Sequence, residues 1–134
     1  MQNMTKERLN RYIWLNVEIE NQTERIERMD TELSSPAVSR LDRMPHSSQI
    51  GTKLEVKIAR KMELEELRKK NIKKANREAV AIEKAIQMLL LPRDRELMRF
   101  KYLEGMTWEE TSEKLGISRQ WAVTLHERIL KELP

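Results

Sequence analysis

The sequence has no cysteine at all, and among its 134 residues only three are glycine and four are proline. Without cysteine the chain can form neither a disulfide framework nor a thiolate nucleophile, and a reducing compartment is its simplest setting. So few glycines and prolines leave little material for the turns of a many-stranded sheet, which favours an all-α fold. With 39% hydrophobic and 36% charged residues, the composition is typical of long exposed helices rather than a large compact core.

The sequence also lacks features that most enzymes and membrane proteins need. No apolar run is long enough for a signal peptide or a transmembrane helix, so we expect a soluble, cytoplasmic protein with no membrane partner. The two histidines, His46 and His126, stand without the cysteine or carboxylate spacing of a metal site. Ser47 and Ser48 have no third group or glycine-rich turn nearby to support catalysis. We therefore expect no enzymatic activity, no cofactor, no bound metal and no small-molecule substrate.

The net charge of +4 is distributed unevenly along the chain. Residues 1–52 carry 7 basic and 8 acidic side chains, residues 53–92 carry 11 and 6, and residues 93–134 carry 8 and 8. The basic excess thus lies in the middle of the sequence, while the last third is neutral. A nucleic-acid contact by that last third would need cations from elsewhere, because phosphate neutralisation supplies much of the affinity of such contacts.

Residues 5–33 have the apolar spacing of one long helix. The positions that face one side recur in a heptad pattern: Tyr12, Leu15, Ile19, Gln22, Ile26, Met29 and Leu33. This pattern predicts a coiled-coil helix of about 40 Å, with Gln22 as the polar member of its seam. Near its start, Ile13 and Trp14 add apolar surface on other faces, which a second surface must cover.

A second long helix is expected over residues 53–90. Its apolar line consists of Leu54, Ile58, Ile72, Ala75, Ala79, Ile82, Ile86 and Leu89. Antiparallel packing against the first helix predicts a coiled-coil helical hairpin over residues 1–90. Because two such helices bury little surface, we expect a homodimer with four packed helices, or docking of the C-terminal part on the hairpin.

The loop between the two helices is expected at residues 34–52, where Ser34, Pro36 and Pro45 interrupt helical structure. A connection of this length is either a contact loop for a partner, helped by Arg40 and Arg43, or a flexible hinge. We favour the hinge.

The C-terminal end of the sequence has the signals of three short helices, of which the last two form a helix-turn-helix. The first is expected over residues 92–104. Thr107 and Glu110 have the spacing of a capping box at the start of the second. Gly116 can adopt the left-handed backbone of the turn, and Ser118 can cap the last helix. The positions that must be apolar or small for the last two helices to pack are Thr111, Ser112, Leu115, Ile117, Ala122 and Leu125.

These features resemble region four of bacterial sigma factors, which reads the upstream promoter element through its last helix. The residues that carry the resemblance are Pro92, Tyr102, Gly105, Thr107, Glu110, Leu115, Gly116, Ile117, Ser118 and Leu130. The resemblance implies a three-helix DNA-binding domain over residues 91–134. Trp121 and Ala122 stand where sigma factors usually carry threonine and valine.

A wider resemblance runs back along the chain to small sigma-like regulators encoded in phages and prophages of Gram-positive bacteria, near the ArpU/RinA type of late-gene activator. It is carried by Tyr12, Ile13, Trp14, Leu15, Ser34, Ser35, Pro36, Met44, Pro45, Tyr102, Gly105, Met106, Thr107, Trp108, Leu125 and His126. It implies a protein in the cytoplasm of a bacterial host, with host RNA polymerase as a candidate partner.

In a helix-turn-helix, the first turn of the second helix faces base edges in the major groove. Here the side chains expected to read bases belong to Ser118, Arg119, Gln120, Val123 and Thr124. Arg119 can donate two hydrogen bonds to guanine, and Gln120 can pair with adenine. The alternative is that both are solvated first-turn residues of a packing motif.

Phosphate contacts are expected from a second set of residues. They are Thr107, Trp108, Lys69, Lys70, Lys73, Lys74 and Arg128. The alternative for the lysines is a solvated helix exterior that pairs with the acidic first helix. Trp108 can equally be a core residue, and Trp121 can stack on a sugar, contact a neighbouring subunit or pack on the hairpin.

The sequence therefore predicts a regulator of phage or prophage transcription that binds double-stranded DNA and works with host RNA polymerase or another sigma factor. Two alternatives stay open. One is a small terminase-like subunit that recognises DNA for packaging, which a ring-shaped oligomer would favour. The other is a protein that grips RNA polymerase without reading DNA, which the neutral last third favours.

Overall fold

The computed structural model describes residues 3–35 and 48–134, with the side chains of residues 3–35 and 53–134. Over these ranges it contains α1 (Lys6–Leu33), α2 (Ser48–Gln87), α3 (Pro92–Met98), a π-helical turn (Arg99–Leu103), α4 (Trp108–Leu115) and α5 (Arg119–Glu132). Neither range contains a strand, so the expected all-α fold with a C-terminal helix-turn-helix is confirmed. None of the helices described is both long and apolar enough to cross a membrane. Arg40, Arg43, His46 and Ser47 lie outside the described residues.

The bounds of α2 differ from those expected from the sequence. This helix begins at Ser48 rather than at residue 53, because the glycine at position 51 costs a helix only about 1 kcal/mol relative to alanine. The expected loop of residues 34–52 is therefore wrong at its C-terminal end. The helix ends at Gln87 rather than at residue 90. The next two amides donate to carbonyls three residues earlier, which tightens the last turn.

The π-helical turn replaces the second half of the helix expected over residues 92–104. The amide of Glu104 donates to the carbonyl of Arg99, five residues earlier, at 2.9 Å. The side chains of this turn take part in the surrounding packing. Tyr102 is buried, and the guanidinium of Arg99 donates to the carboxylate of Glu83 at 2.7 Å. Such tertiary contacts favour the wider turn, which helical spacing alone does not predict.

The chain forms two compact units. The paired-helix unit spans Val17–Lys73, and the head unit combines Met1–Asn16 with Lys74–Pro134. The boundary expected between residues 90 and 91 does not coincide with the division between these units. The start of α1 and the end of α2 belong with the helix-turn-helix.

Within the paired-helix unit, α1 and α2 run antiparallel. Among the described residues, polar side chains join them in four pairs: Glu18 with Asn71, Gln22 with Asn71, Thr23 with Arg68, and Asp30 with Lys61. The heptad seam of α1 lies on this side of the helix. Of its members in this unit, two are buried and three are half-buried: Gln22 and Ile26, with Ile19, Met29 and Leu33.

On α2, the expected apolar line does not form the contact in this unit. Ile58 and Ile72 are 43% and 38% exposed, whereas Arg68 and Asn71 face α1. Because neighbouring residues are about 100° apart around a helix, placing Asn71 in the contact turns Ile72 away from it. Polar partners thus select the rotation of α2, a choice that apolar spacing does not reveal.

The core of the head unit draws on both ends of the sequence. Its most deeply buried large apolar side chains belong to Leu9, Ile82, Ile86, Leu97, Met98, Leu125 and Ile129. Polar links join the same elements. Arg8 donates to the carboxylate of Glu78 at 2.9 Å, and the amide of Met4 donates to the carbonyl of Pro134 at 2.8 Å. The first turns of α1 are thus part of the head.

We expect Leu9→Ala to destabilise the head unit, because Leu9 is fully buried. A change of this kind typically lowers the free energy of unfolding by about 2–5 kcal/mol. Trp14→Ala is the control on the same helix, since its indole is 69% exposed and surface substitutions usually change stability by about 0.5 kcal/mol or less. Chemical denaturation followed by circular dichroism measures both. Equal losses for the two variants would contradict the assignment of Leu9 to the core.

Candidate nucleic-acid interface

The supporting helix of the helix-turn-helix, α4, begins with a complete capping box. The amide of Glu110 donates to the hydroxyl oxygen of Thr107 at 3.1 Å, and the amide of Thr107 donates to the carboxylate of Glu110 at 3.3 Å. Both amides are therefore satisfied by side chains, which fixes where α4 begins.

The turn between α4 and α5 follows the sequence prediction at both of its key positions. Gly116 has φ 67° and ψ 32°, the left-handed conformation that glycine adopts without strain. The amide of Ile117 donates to the carbonyl of Ser112 at 3.1 Å and closes α4. Ser118 then caps α5 by accepting a hydrogen bond from the amide of Trp121 at 3.1 Å.

The two helices pack through the six small or apolar positions expected from the sequence. Four are buried and two are half-buried: Thr111, Ser112, Ala122 and Leu125, with Leu115 and Ile117. Small side chains at the crossing let the helices approach closely. This packing leaves the opposite side of α5 at the surface of the head unit.

His126 anchors α5 from within the head. Its Nε2 and the hydroxyl of Tyr102 share a hydrogen bond at 2.5 Å, and the ring of Trp108 meets the imidazole edge-on with centroids 4.9 Å apart. The amine of Lys101 lies 4.7 Å from the centroid of the Trp108 ring. Burial lowers the pKa of His126 to about 4, although the Glu127 carboxylate opposes that shift, and burial raises the pKa of Tyr102 to about 12. His126 is therefore neutral at pH 7 and is a packing residue rather than a cation for phosphate.

The five residues expected to read bases all lie at exposed positions of the head: Ser118, Arg119, Gln120, Val123 and Thr124. The last four, together called the reading arc, occupy positions i, i+1, i+4 and i+5 on one side of α5. The hydroxyl of Thr124 donates to the carbonyl of Gln120 at 3.0 Å. Its hydroxyl oxygen can still accept a hydrogen bond, and its methyl group takes no part in this bond.

Carboxylate side chains lie beside the first turn of α5, where the reading arc begins. Nη1 of Arg119 is 3.9 Å from the carboxylate of Glu109, and both side chains are more than half exposed. Glu109 and Glu110 occupy the first turn of α4, next to Thr107 and Trp108, which were expected to meet phosphate. The start of α4 is therefore negatively charged. Within the described part of the chain, no group of three or more His, Asp or Glu residues could hold a metal ion.

A cation–π pair lies beside the reading arc. The guanidinium carbon of Arg128 is 5.4 Å from the centroid of the Trp121 ring, and the indole is 38% exposed. The two residues are two turns apart on α5. A sugar contact was one of three roles that the sequence left open for Trp121, and its i, i+7 spacing from an arginine is the signal that links it to Arg128.

The four lysines expected to meet phosphate are exposed on α2. Lys69, Lys70 and Lys73 belong to the paired-helix unit, and Lys74 is the first α2 residue of the head unit. Within the same stretch, Arg68 is one of the residues that face α1. The lysines thus keep their charges at the surface of the protein.

We expect the stability of the head to fall as the pH drops from about 6.5 to about 4. Folded His126 takes up its proton near pH 4, whereas an unfolded histidine does so near pH 6.5. The unfolded state therefore binds the proton first, and the free energy of unfolding decreases across this window by on the order of 3 kcal/mol. Urea denaturation at several pH values measures this profile.

His126→Gln should flatten the profile in this window, because it removes the buried imidazole. His46→Gln removes the other histidine of the sequence and serves as the control, for which the parent profile should persist. A profile that is the same in His126→Gln as in the parent would show that another group causes the pH dependence.

The C-terminal segment of the chain shares its sequence pattern with a known family. Residues 79–133 match the family model described as Sigma-70, region 4. The match begins inside α2 and contains α3, the π-helical turn, α4, α5, the reading arc and the packing around His126. No curated protein and no solved structure matches the chain. This segment is thus similar to region 4 of sigma-70 factors, and α4 and α5 are its helix-turn-helix.

Proposed function

We propose that this chain is a sequence-specific transcription regulator that binds double-stranded DNA through the first turn of α5. The observation that carries the proposal is the exposed reading arc, held on a capped helix-turn-helix inside a segment that matches sigma-70 region 4. The phage or prophage context and the contact with host RNA polymerase come from the wider resemblance, and the homodimer follows from the small surface that two paired helices bury. The protein regulates phage or prophage genes in a bacterial host, contacts host RNA polymerase, and acts as a coiled-coil homodimer without catalytic activity or a cofactor.

Base recognition falls to the reading arc. The guanidinium of Arg119 donates two hydrogen bonds to guanine, and the amide of Gln120 pairs with adenine in the major groove. The side chains of Val123 and Thr124 offer methyl groups to thymine. Each bidentate contact discriminates between bases by about 1–3 kcal/mol. The hydroxyl of Ser118 accepts the cap bond of α5 and still has a proton to donate to DNA.

Phosphate neutralisation comes from cations outside the start of α4. Glu109 and Glu110 oppose phosphate there, although the backbone around Thr107 and Trp108 approaches DNA in a region-four arrangement. Arg128, stacked on Trp121, and the exposed lysines of α2 therefore supply more of the salt-dependent affinity.

A second candidate function is binding to RNA polymerase without reading DNA. Two observations favour it. Residues 93–134 carry equal numbers of acidic and basic side chains. Between α2 and α3, the head also exposes the apolar side chains of Met88, Leu90 and Leu91. Exposed apolar clusters are typical of protein contacts.

Replacement of the two bidentate side chains tests base reading. Selection of bound sequences from random DNA supplies the target site. On that site, Arg119→Ala and Gln120→Ala should each weaken binding by roughly 5- to 150-fold, which corresponds to the discrimination of one bidentate contact. Affinity for unrelated DNA should change much less in Gln120→Ala, because it depends on phosphate contacts. Fluorescence anisotropy measures both affinities.

Lys131→Gln is the matched control, since it removes a positive charge from the far end of the same helix. If both alanine variants bind the selected site as tightly as the parent, the reading arc does not read bases. If the selection enriches no sequence while the protein binds RNA polymerase, the second candidate function is the correct one.

A further experiment tests the lysines. Replacing Lys69, Lys70, Lys73 and Lys74 by glutamine should make DNA affinity less sensitive to salt. In a plot of the logarithm of the affinity against the logarithm of the salt concentration, the slope should become less steep by up to about 0.9 for each phosphate that the protein no longer neutralises. Lys53, Lys57 and Lys84 on the same helix, replaced together by glutamine, form the control set. An unchanged slope would mean that the four lysines are only a solvated helix exterior.

A further inference from the structure

The paired-helix unit buries very little apolar surface. Of the side chains that the structure describes between Val17 and Lys73, Gln22 and Ile26 alone are buried. On α2, in contrast, large apolar side chains stay exposed: Val56, Ile58, Met62, Leu67 and Ile72. Two paired helices of this size are marginal without a further packing surface. We therefore expect the further packing surface of this unit to lie on the exposed side of α2.

One side of α2 carries a regular stripe of four residues, Met62, Glu65, Lys69 and Ile72, called the α2 stripe. Their spacings of three, four and three residues bring them onto one face over about 15 Å of helix. A surface groove of about 310 Å³ runs along this face, lined by Met62, Glu65, Glu66, Arg68, Lys69 and Ile72. Met62 is 63% exposed, so the groove is open to a partner.

The order of side chains along the α2 stripe is complementary to the same order read in the opposite direction. Read from either end, it has an apolar residue, a charge, the opposite charge and an apolar residue. If a second copy lies antiparallel with the two-fold axis level with Leu67, Met62 meets Ile72 of the second copy and Glu65 meets its Lys69. In this contact Lys69 pairs with a carboxylate, so the phosphate contacts proposed for α2 fall to Lys70, Lys73 and Lys74. A two-fold contact requires such self-complementarity, because each residue pair occurs twice.

We propose that the α2 stripe binds the α2 stripe of a second copy of this chain, antiparallel and centred on Leu67. This inference rests on the dimer in the proposed function and gives it a surface and a register. The second copy is favoured over an unrelated partner because the order of charges in the stripe matches itself. The two paired-helix units then form a four-helix arrangement, which adds the apolar burial that one unit lacks.

Charge reversal tests the contact. In the dimer, Glu65→Lys sets two lysines against each other in both of the symmetry-related charge pairs, and Lys69→Glu does the same with two glutamates. Each variant should raise the dissociation constant of the dimer at least about tenfold, since like charges in an interface are costly. Sedimentation at several protein concentrations measures this. Glu63→Lys and Lys70→Glu make the same charge changes on another side of α2 and should leave the dissociation constant near that of the parent.

An equimolar mixture of Glu65→Lys and Lys69→Glu should recover the association, because each glutamate of one variant then faces a lysine of the other. Recovery between two different chains cannot come from repair of contacts inside one chain, such as the ion pair of Lys61 with Glu65 at 3.5 Å. Circular dichroism checks that both single variants remain helical.

The register has its own test, because the chain has no cysteine. Chains with Met62→Cys mixed with chains with Ile72→Cys should form a disulfide-linked heterodimer under mild oxidation, whereas each variant alone should form little. Crosslinking of Met62→Cys with itself would overturn the antiparallel register. A parent chain that is monomeric at every concentration, or a mixture that fails to associate, would overturn the proposal.

These outcomes separate the interface from DNA recognition. Arg119→Ala and Gln120→Ala should dimerise like the parent, because their side chains belong to the head unit. If the parent chain is monomeric but binds a selected DNA site, the α2 contact is wrong while the proposed DNA recognition stands. If it dimerises as described but selects no DNA, the reverse holds.

Discussion

The apolar core of the head unit cannot be built by any contiguous segment of the sequence. Leu97 and Ile129 come from the helices around the helix-turn-helix, while Leu9 from α1 and Ile82 from α2 are equally deeply buried. A domain of about forty residues rarely buries enough apolar surface to be stable alone. The ends of the two long helices complete the core, and the orientation of α5 depends on them. The positions of the side chains that α5 exposes to solvent therefore depend on this shared core.

The two sides of α5 are chemically distinct. On the inner side, neutral His126 bonds to Tyr102, and its lowered pKa keeps charge out of the core at neutral pH. On the outer side, Arg119 and Gln120 offer directional donors and acceptors. The surrounding carboxylates leave the C-terminal third without a net charge. Directional contacts of this kind favour sequence discrimination, while long-range attraction to DNA has to come from other cations.

Two DNA-binding heads gain affinity when they are joined in one assembly. When two binding modules are joined, binding of the first raises the effective concentration of the second, and their affinities combine. A dimer held through the paired-helix units would give this advantage to a head with little attraction for phosphate. The proposed α2 contact and the proposed DNA recognition are thus linked, because pairing would offset the lack of net positive charge in the C-terminal third of the chain.

The features that the sequence predicted well are local ones. The capping box of Thr107, the left-handed Gly116 and the cap at Ser118 depend on residues at most five positions apart, and all three are present. The seam of α1 also follows from its own periodicity.

The features that escaped prediction depend on distant partners. Polar contacts with α1 determine the rotation of α2. Ile58 and Ile72 therefore face solvent, although their spacing in the sequence predicted an apolar contact line. Leu9 joins a core whose other segment begins at Lys74, more than sixty residues away in the sequence, which no local pattern encodes. In the candidate interface, exposure of the reading arc followed from the motif, but the carboxylate of Glu109 beside Arg119 depends on how two helices cross.

The π-helical turn acts as one residue inserted into the phase of a helix. It carries Tyr102, whose hydroxyl meets His126 on α5. Loss of one residue before Tyr102 in this turn would remove the wide hydrogen bond and shift the side chains on one side of the turn by one position relative to those on the other. The link between this turn and α5 is therefore sensitive to length as well as to side-chain chemistry, and a deletion there would disturb α5 without changing any of its own residues.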